Sequence, residues 1–194
     1  MKRIGFIRHG TTEWNLAGRM QGQMDTPLAE IGRLQTRYLG ERLQQETWDG
    51  IIASDLIRAQ ETAELVASLA NIPLLGIDAR IRERSFGELE GTTLQERVLK
   101  WGEHWRELDL GMETKDQVFM RWQSFSQNME DKYAGKRILV VSHGGFIEPV
   151  LENTCGRFMK GHLLNTSLTV IVREGMKWCC KLLNCTKHLG PLDT

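Results

Sequence analysis

An α/β fold, with a parallel or mostly parallel sheet covered by helices on both faces, is predicted by three observations. Short apolar runs alternate with amphipathic segments of helical period along the chain, the signature of strand–helix–strand units. No linker, internal repeat or low-complexity tract interrupts that alternation. A length of 194 residues supplies one sizeable core and falls short of two comfortable domains.

The elements follow in order. Ile4–Arg8 reads as the first strand. Thr26-Pro27 is expected to start a helix, with Thr26 at the cap and Pro27 at the first position, and Leu28, Ile31, Leu34 and Tyr38 mark its buried face. Ile51–Ala53 is a short second strand, a helix runs from Asp55 to Ala70, and Leu74–Ile77 forms the third strand. Thr92 to Tyr133 is expected to be helical, because Thr92 with Gln95 and Thr114 with Gln117 both have the capping-box spacing. Val118, Trp122, Phe125 and Met129 make a stripe at helical period, which belongs to a core rather than a cofactor site. Gly135 ends that helix. Lys136–Val141 is the next strand and Phe146–Asn153 the helix after it. Leu168–Val172 and Trp178–Leu183, separated by Arg173-Glu174-Gly175, read as a hairpin that puts one antiparallel strand on the sheet edge.

Composition narrows the function classes. Hydrophobic content of 41% and charged content of 26% describe an ordinary soluble globular protein. A formal net charge of zero gives no global field favouring nucleic acid or an anionic membrane, so any anion site must be local. No apolar run approaches a membrane span, and Met1-Lys2-Arg3 leads into a strand rather than a signal-peptide core, so a cytoplasmic location is expected. Of the four cysteines, Cys155, Cys179, Cys180 and Cys185, the adjacent pair on a predicted strand points to opposite faces. No CxxC spacing occurs, and the thiols are expected to stay reduced.

Two of the predicted strands end in histidine followed by glycine: Arg8-His9-Gly10 and Ser142-His143-Gly144-Gly145. Strand ends of an open α/β sheet are where ligands bind. Two imidazoles there, one beside an arginine, point to a site that attacks and grips phosphate. Arg8 and Arg58 each present a fork of N–H donors that lysine cannot copy. Arg58 falls in the first turn of its helix, where the dipole also favours an anion. Asn15 offers a neutral amide donor. No ligand cluster for a metal is visible beside these residues, and none is required by this chemistry.

Four ordered blocks carry a resemblance to a known family. They are Arg8-His9-Gly10-Thr11 with Trp14-Asn15, Gly18 to Gly22 and Asp25 to Leu28; Ser54 to Ala59; Arg82-Glu83 with Phe86 to Gly91; and Ser142 to Gly145. On them the chain resembles the histidine phosphatase superfamily, which contains cofactor-dependent phosphoglycerate mutase and many small phosphatases. The resemblance covers nearly the whole chain. It implies one domain over residues 1–194, a three-layer sandwich with a mostly parallel mixed sheet, and a small helical cap inserted at about 92–112. It also implies that His9 is the nucleophile that becomes phosphorylated. Arg8, Asn15, Arg58 and His143 would hold the phosphate, with Gln21, Gly22 and the backbone of Gly144 and Gly145 beside them. Glu83 matches the acid position; Glu88 and Glu90 are rivals on composition alone. Glu13 reads as a rim residue.

Each role sets a requirement. An unperturbed imidazole pKa near 6.5 leaves a neutral fraction at pH 7. The attacking nitrogen of His9 must be unprotonated, so its other nitrogen should donate to a backbone carbonyl. A cationic His143 would bind a transferring phosphate better than a neutral one. Glu83 must be protonated to serve the leaving oxygen, and repulsion by a bound phosphate would keep it so.

A phosphatase releases phosphohistidine to water, whereas a mutase returns it to a second oxygen and needs a second anion site. The resemblance gives the mutases a longer chain and an Arg-Arg pair with a lysine after the acid. Here Gly91 to Thr114 holds Arg97, Lys100 and Arg106 singly. The expectation is therefore a phosphomonoester hydrolase acting on small phosphorylated metabolites, as a monomer or homodimer, without cofactor, metal, nucleic acid or membrane. A phosphoglycerate mutase is the alternative, and a catalytically inactive phosphate-binding module the third reading. Trp101 and Trp105, at i and i+4, suit either a pocket wall or a core face. His104, His162 and His188 are expected to be exposed or locally hydrogen-bonded.

Overall fold

A computed structural model describes residues 2–157 and 161–192. Six strands, β1 (Arg3–Arg8), β2 (Gly50–Ala53), β3 (Leu74–Ile77), β4 (Arg137–Ser142), β5 (Leu168–Glu174) and β6 (Lys177–Cys185), form one sheet in the order β3-β2-β4-β1-β5-β6. The first four run parallel. The strand that runs against them is β5, inside the sheet, paired antiparallel to both β1 and β6. The expected antiparallel edge is thus corrected. The hairpin turn falls at Gly175-Met176 and sends β6 back along the parallel direction as the edge strand.

Alternation along the strands divides the core. Ile4, Phe6, Ile138, Val140 and Ile171 pack with α5 (Lys115–Lys132) and α6 (Gly144–Cys155). Ile7, Leu139, Val141, Leu168 and Val170 face the other way, onto α2 (Glu30–Leu43) and α3 (Ile57–Ala70). Side chains one residue apart on a strand point to opposite faces, so each central strand feeds both layers. The predicted stripe Val118, Trp122, Phe125 and Met129 is buried in the first layer. Removing a side chain such as Phe125 from a filled core costs about 3–5 kcal/mol.

Two helices depart from the sequence expectation. Thr26-Pro27 does not open a helix; α2 begins at Glu30 with Ala29 at its N-cap and no side-chain cap. Thr26 Oγ1 donates to Gln21 Oε1 at 2.6 Å, and Leu28 bridges Thr12 as a short extended pair. The buried face of α2 is Gly32, Thr36, Leu39, Gly40 and Leu43, while Leu34 is exposed and Ile31 and Tyr38 are half-buried. Small residues line it because the helix presses on backbone. A Cβ at Gly32 would overlap the Thr11 carbonyl.

The stretch from Thr92 to Tyr133 holds two helices, in keeping with its two capping signals, but is not helical between them. α4 (Leu94–Trp101) is capped by Thr93 with Glu96, one residue beyond the predicted Thr92 with Gln95, and ends at Gly102 with φ of 78°. Thr92 Oγ1 is spent on the Leu89 carbonyl at 2.6 Å. A 3₁₀ turn at Trp105–Glu107 and an irregular segment precede α5, whose Thr114 and Gln117 form the predicted capping box. All four cysteines are free; Cys185 is buried and the others half-buried. Among the described residues no helix is long and apolar enough to cross a membrane.

The close approach at Gly32 generates a stability prediction. Overpacking a filled site costs about 1–3 kcal/mol, and the obstacle here is main chain, so Gly32→Ala should lie at the top of that range. Urea denaturation of the variant checks it; a midpoint equal to wild type would show that α2 is free to move.

Candidate active site

β1 and β4 are neighbours at the centre of the sheet, with Arg8 opposite Ser142 in register. The chain leaving β1 goes to the face covered by α2 and α3; the chain leaving β4 goes to the face of α5 and α6. That divergence opens a crevice at the strand ends, where open α/β sheets bind ligands. A cleft of about 420 Å³ lies there, lined in part by Arg8, His9, Asn15, Gln21, Gly22, Arg58, Glu83 and Gly144. Every sequence-predicted site residue except His143 lines it. His143, fully buried, adjoins it with its ring centroid 5.1 Å from that of His9.

The His9 N–H donates to the Ser142 carbonyl at 3.0 Å, and its own carbonyl accepts from Asn165 Nδ2 at 2.9 Å. Nδ1 lies 2.7 Å from the Gly10 carbonyl oxygen. A carbonyl only accepts, so Nδ1 carries the proton and the lone pair is left on Nε2. Burial, then the positive charges of Arg58 and Arg8, hold the His9 pKa well below the ordinary imidazole value. The ring is neutral at pH 7.

Arg58 is fully buried at the second position of α3. Nη1 donates to the Met24 carbonyl at 2.8 Å and Nη2 to the Gly22 carbonyl at 2.7 Å. Burial draws its pKa down to about 10, with Glu83 opposing, which still leaves a cation at neutral pH. Arg8 donates through Nη1 to the Leu163 carbonyl. The backbone contacts fix each guanidinium and leave further N–H groups uncommitted; the Nε of each is buried without an acceptor among the described residues.

The neutral donors are oriented in the same manner. Asn15, in the short helix α1 (Glu13–Leu16), accepts at Oδ1 from the Thr12 N–H at 3.1 Å and Asn165 Nδ2 at 3.3 Å. Gln21 Oε1 accepts from Thr12 Oγ1 at 3.0 Å and from Thr26 Oγ1. With both oxygens occupied, the amide nitrogens are the ends left to the cleft. Gly22 meets the site through the carbonyl that holds Arg58.

Glu83 follows the 3₁₀ turn Ala79–Ile81 and accepts the Arg84 N–H at Oε1, 2.7 Å away. Burial pushes its pKa up, against the pull of Arg58 and the Arg84 N–H. Desolvation therefore favours the protonated acid before any phosphate charge is added. Arg82 pairs with Asp55 and not with Glu83. Arg121 of α5, which sequence reasoning missed, straps this loop: Nη1 donates to the carbonyls of Arg80 (2.5 Å) and Arg82 (3.1 Å), while Nε grips Glu113 at 2.7 Å.

His143 departs from the expected cation. Its Nε2 lies 2.8 Å from Ser54 Oγ, and its Nδ1 is buried without a partner among the described residues. Burial, then Arg58, His9 and Arg8, hold its pKa well below the ordinary value, so the imidazole is neutral here. Burial, reinforced by two arginines, sets that state. A bound dianion pulls the opposite way.

The glycines after His143 have different reasons from the expected one. A Cβ at Gly144 would meet nothing nearer than 3.7 Å, so space does not demand glycine there. At Gly145 a Cβ would stand 2.6 Å from Glu83 Oε1 and 3.2 Å from Arg84 Cβ. Gly145 lets the acid pack against α6. In the cap, Trp105 is buried with Leu89 and Leu110, with Trp101 packed against them. His104 is exposed beside Glu107. None of Trp101, His104 and Trp105 lines the cleft; Met20 and Phe86 supply its apolar wall. Glu13 is exposed as expected, Glu88 pairs with Lys100, and Glu90 accepts the Phe86 N–H at 2.9 Å. Of the remaining histidines, His188 is buried, held to a pKa of about 4 by burial and Arg42, and His162 stands exposed at the cleft rim.

A mixed α/β sandwich with two imidazoles and two anchored arginines at its switch point is the architecture of the histidine phosphatase superfamily. The chain belongs to that superfamily (branch 1), whose profile it matches over residues 4–186. It is 32% identical over 193 residues to a Bacillus subtilis protein described as the uncharacterized phosphatase PhoE, with 98% of each chain covered. It is 34% identical over 153 residues to the probable phosphoglycerate mutase GpmB of Photorhabdus laumondii, covering 74% of this chain and 70% of that one. The mycobacterial glucosyl-3-phosphoglycerate phosphatase, solved in complex with VO3, superposes with a TM-score of 0.85 at 26% identity, covering 95% and 100% of the two chains.

The contrast between the glycines is testable. Gly145→Ala should displace Glu83 and lower kcat by at least about tenfold, a fraction of the 10²–10⁴ attributed to a positioned acid. Gly144→Ala should stay within about threefold, since its Cβ makes ordinary contacts. Steady-state kinetics with one alkyl phosphate separates the two; equal losses would return both glycines to a common role.

Proposed function

We propose that the protein is a phosphomonoester hydrolase acting on small phosphorylated metabolites through a phosphohistidine at His9. The observation that carries this reading is a pair of buried guanidinium nitrogens beside His9, Arg8 Nε and Arg58 Nε, with no acceptor among the described residues. Buried N–H groups are nearly always paired. A phosphate presents oxygens in the number and charge that this set of donors lacks.

In the first step His9 Nε2 attacks phosphorus in line, while Arg8, Arg58 and the amide ends of Asn15 and Gln21 face the equatorial oxygens. Glu83 gives its proton to the leaving oxygen as the P–O bond breaks. In the second step the Glu83 carboxylate takes a proton from water, whose oxygen attacks the phosphorus. Phosphate leaves, His9 returns neutral and Glu83 returns protonated. Phosphate charge is met by guanidinium and imidazole, so this route uses no metal. Hydrolysis is favoured over mutase chemistry by the single spacing of Arg97, Lys100 and Arg106.

Quenching the protein with labelled monoester in alkali should trap the label on His9, because phosphohistidine survives base better than acid. Label on a serine, or on no residue, would remove the covalent scheme, and His9→Ala should abolish turnover with the fold intact. Phosphoglycerate isomerisation dependent on 2,3-bisphosphoglycerate would favour the mutase reading instead.

Glu83→Gln should cost about 10²–10⁴-fold with an alkyl phosphate and distinctly less with p-nitrophenyl phosphate, whose leaving group needs little protonation. The pH profile gives the sign. Rate falls on the acid side as His9 is protonated, and its lowered pKa moves that limb below the ordinary imidazole range. Rate falls on the alkaline side as Glu83 ionises, and its raised pKa moves that limb upward. Glu83→Gln should remove the alkaline limb with the alkyl ester. Equal losses for both esters would place the acid elsewhere.

A further inference from the structure

The cleft wall formed by α6 carries a carboxylate that the hydrolytic steps do not use. Glu148 lies one turn beyond Gly144 and lines the cleft with Pro149. Its Oε1 accepts the Leu163 N–H at 3.3 Å, and its Oε2 has no hydrogen-bond partner among the described residues. Arg8 faces Glu148 across Gly144 and belongs to the phosphate end, while two other neighbouring cations are spent elsewhere. Lys115 is paired with Glu152 at 2.8 Å, and Arg19 with Glu96 at 2.9 Å. His162 Nδ1 stands 3.9 Å away on a side chain that is almost wholly exposed, where water screens the contact.

Glu148 also stands close to the phosphate-binding end. A Cβ placed on Gly144 would be 3.7 Å from Arg8 Nε and 3.9 Å from Glu148 Oε1, so guanidinium and carboxylate flank one glycine. A ligand whose phosphate sits on Arg8 reaches Glu148 through a linker of roughly three bonds. A carboxylate beside a dianion site weakens binding unless another part of the ligand recovers the loss. A leaving group bearing a carboxylate would be repelled and a neutral one gains nothing. An ammonium gains a charge-assisted hydrogen bond to Oε2.

We propose that Glu148 receives a cationic ammonium group on the leaving group, so that the preferred substrates are phosphomonoesters with an amine a few bonds from the phosphate. This rests on the hydrolase reading of the cleft and deepens it. Arg84 is the competing feature: its guanidinium lines the same cleft, held by the Glu113 carbonyl, and suits a carboxylate instead.

Calorimetric titration with three phosphonates of one skeleton separates these cases without needing turnover. Wild type should bind 3-aminopropylphosphonate about tenfold more tightly than butylphosphonate, and 3-phosphonopropionate most weakly. Glu148→Gln should bring the amine and butyl ligands within about twofold of each other, and should tighten butylphosphonate because a repelling charge has gone. Weaker binding of all three by the variant would assign Glu148 a structural role and overturn the proposal. Tightest wild-type binding of 3-phosphonopropionate would overturn it in favour of Arg84. Butylphosphonate binding without an amine preference overturns this inference alone; no binding of any phosphonate overturns the phosphate-site reading with it.

Discussion

The parallel pairing of β1 with β4 is the constraint on which the site depends. In register, it sets Arg8 against Ser142 and ties the His9 N–H to the Ser142 carbonyl. One peptide further on, each strand delivers an imidazole, and the rings stand 5.1 Å apart. Because the chains then part to opposite faces, the amino end of α6 and the loop before α3 open toward the same space. A slip of one residue between these strands would turn His9 or His143 to the opposite face.

Burial does opposite things to the two titrating groups that the proposed reaction uses. The same removal of water lowers the pKa of His9 and raises that of Glu83, each favouring its neutral form. A base without its proton and an acid with its proton can then coexist at one pH. The arginines reinforce the first shift and oppose the second. Glu83 opposes the effect of burial on both arginines, and backbone carbonyls of Gly22, Met24 and Leu163 accept hydrogen bonds from them.

The strands were legible in the sequence from short apolar runs, and the histidine pair from the two of them, Ile4 to Ile7 and Ile138 to Val141, that lead into a histidine and glycine. The face of α2 was not, since Gly32, Thr36 and Gly40 pack by smallness, and a search for apolar residues selects Leu34 instead. Adjacent threonines hid the start of α4, where Thr92 and Thr93 offer the same capping chemistry one residue apart. Ser54 stood in the second block without a role, and the residues that sequence reasoning missed, Arg121 and Asn165, act on main-chain carbonyls from distant segments. Nothing in their own neighbourhoods announces such a partner. The packing of Gly145 against Glu83 was also hidden, because that carboxyl comes from a distant segment of the chain.

The segment around α4 has a small apolar cluster of its own, Leu89, Trp105 and Leu110, separate from the two that flank the sheet. Its ties near the cleft are main-chain bonds, such as Gly91 N–H to the Met20 carbonyl at 2.8 Å, together with the Arg19–Glu96 pair at 2.9 Å and the packing of Met20 and Phe86 against the cluster. Met20 and Phe86 belong both to this cluster and to the wall of the cleft. A substitution that repacks Trp105 or Leu110 is therefore felt in the cleft through those two side chains, although neither replaced residue touches it.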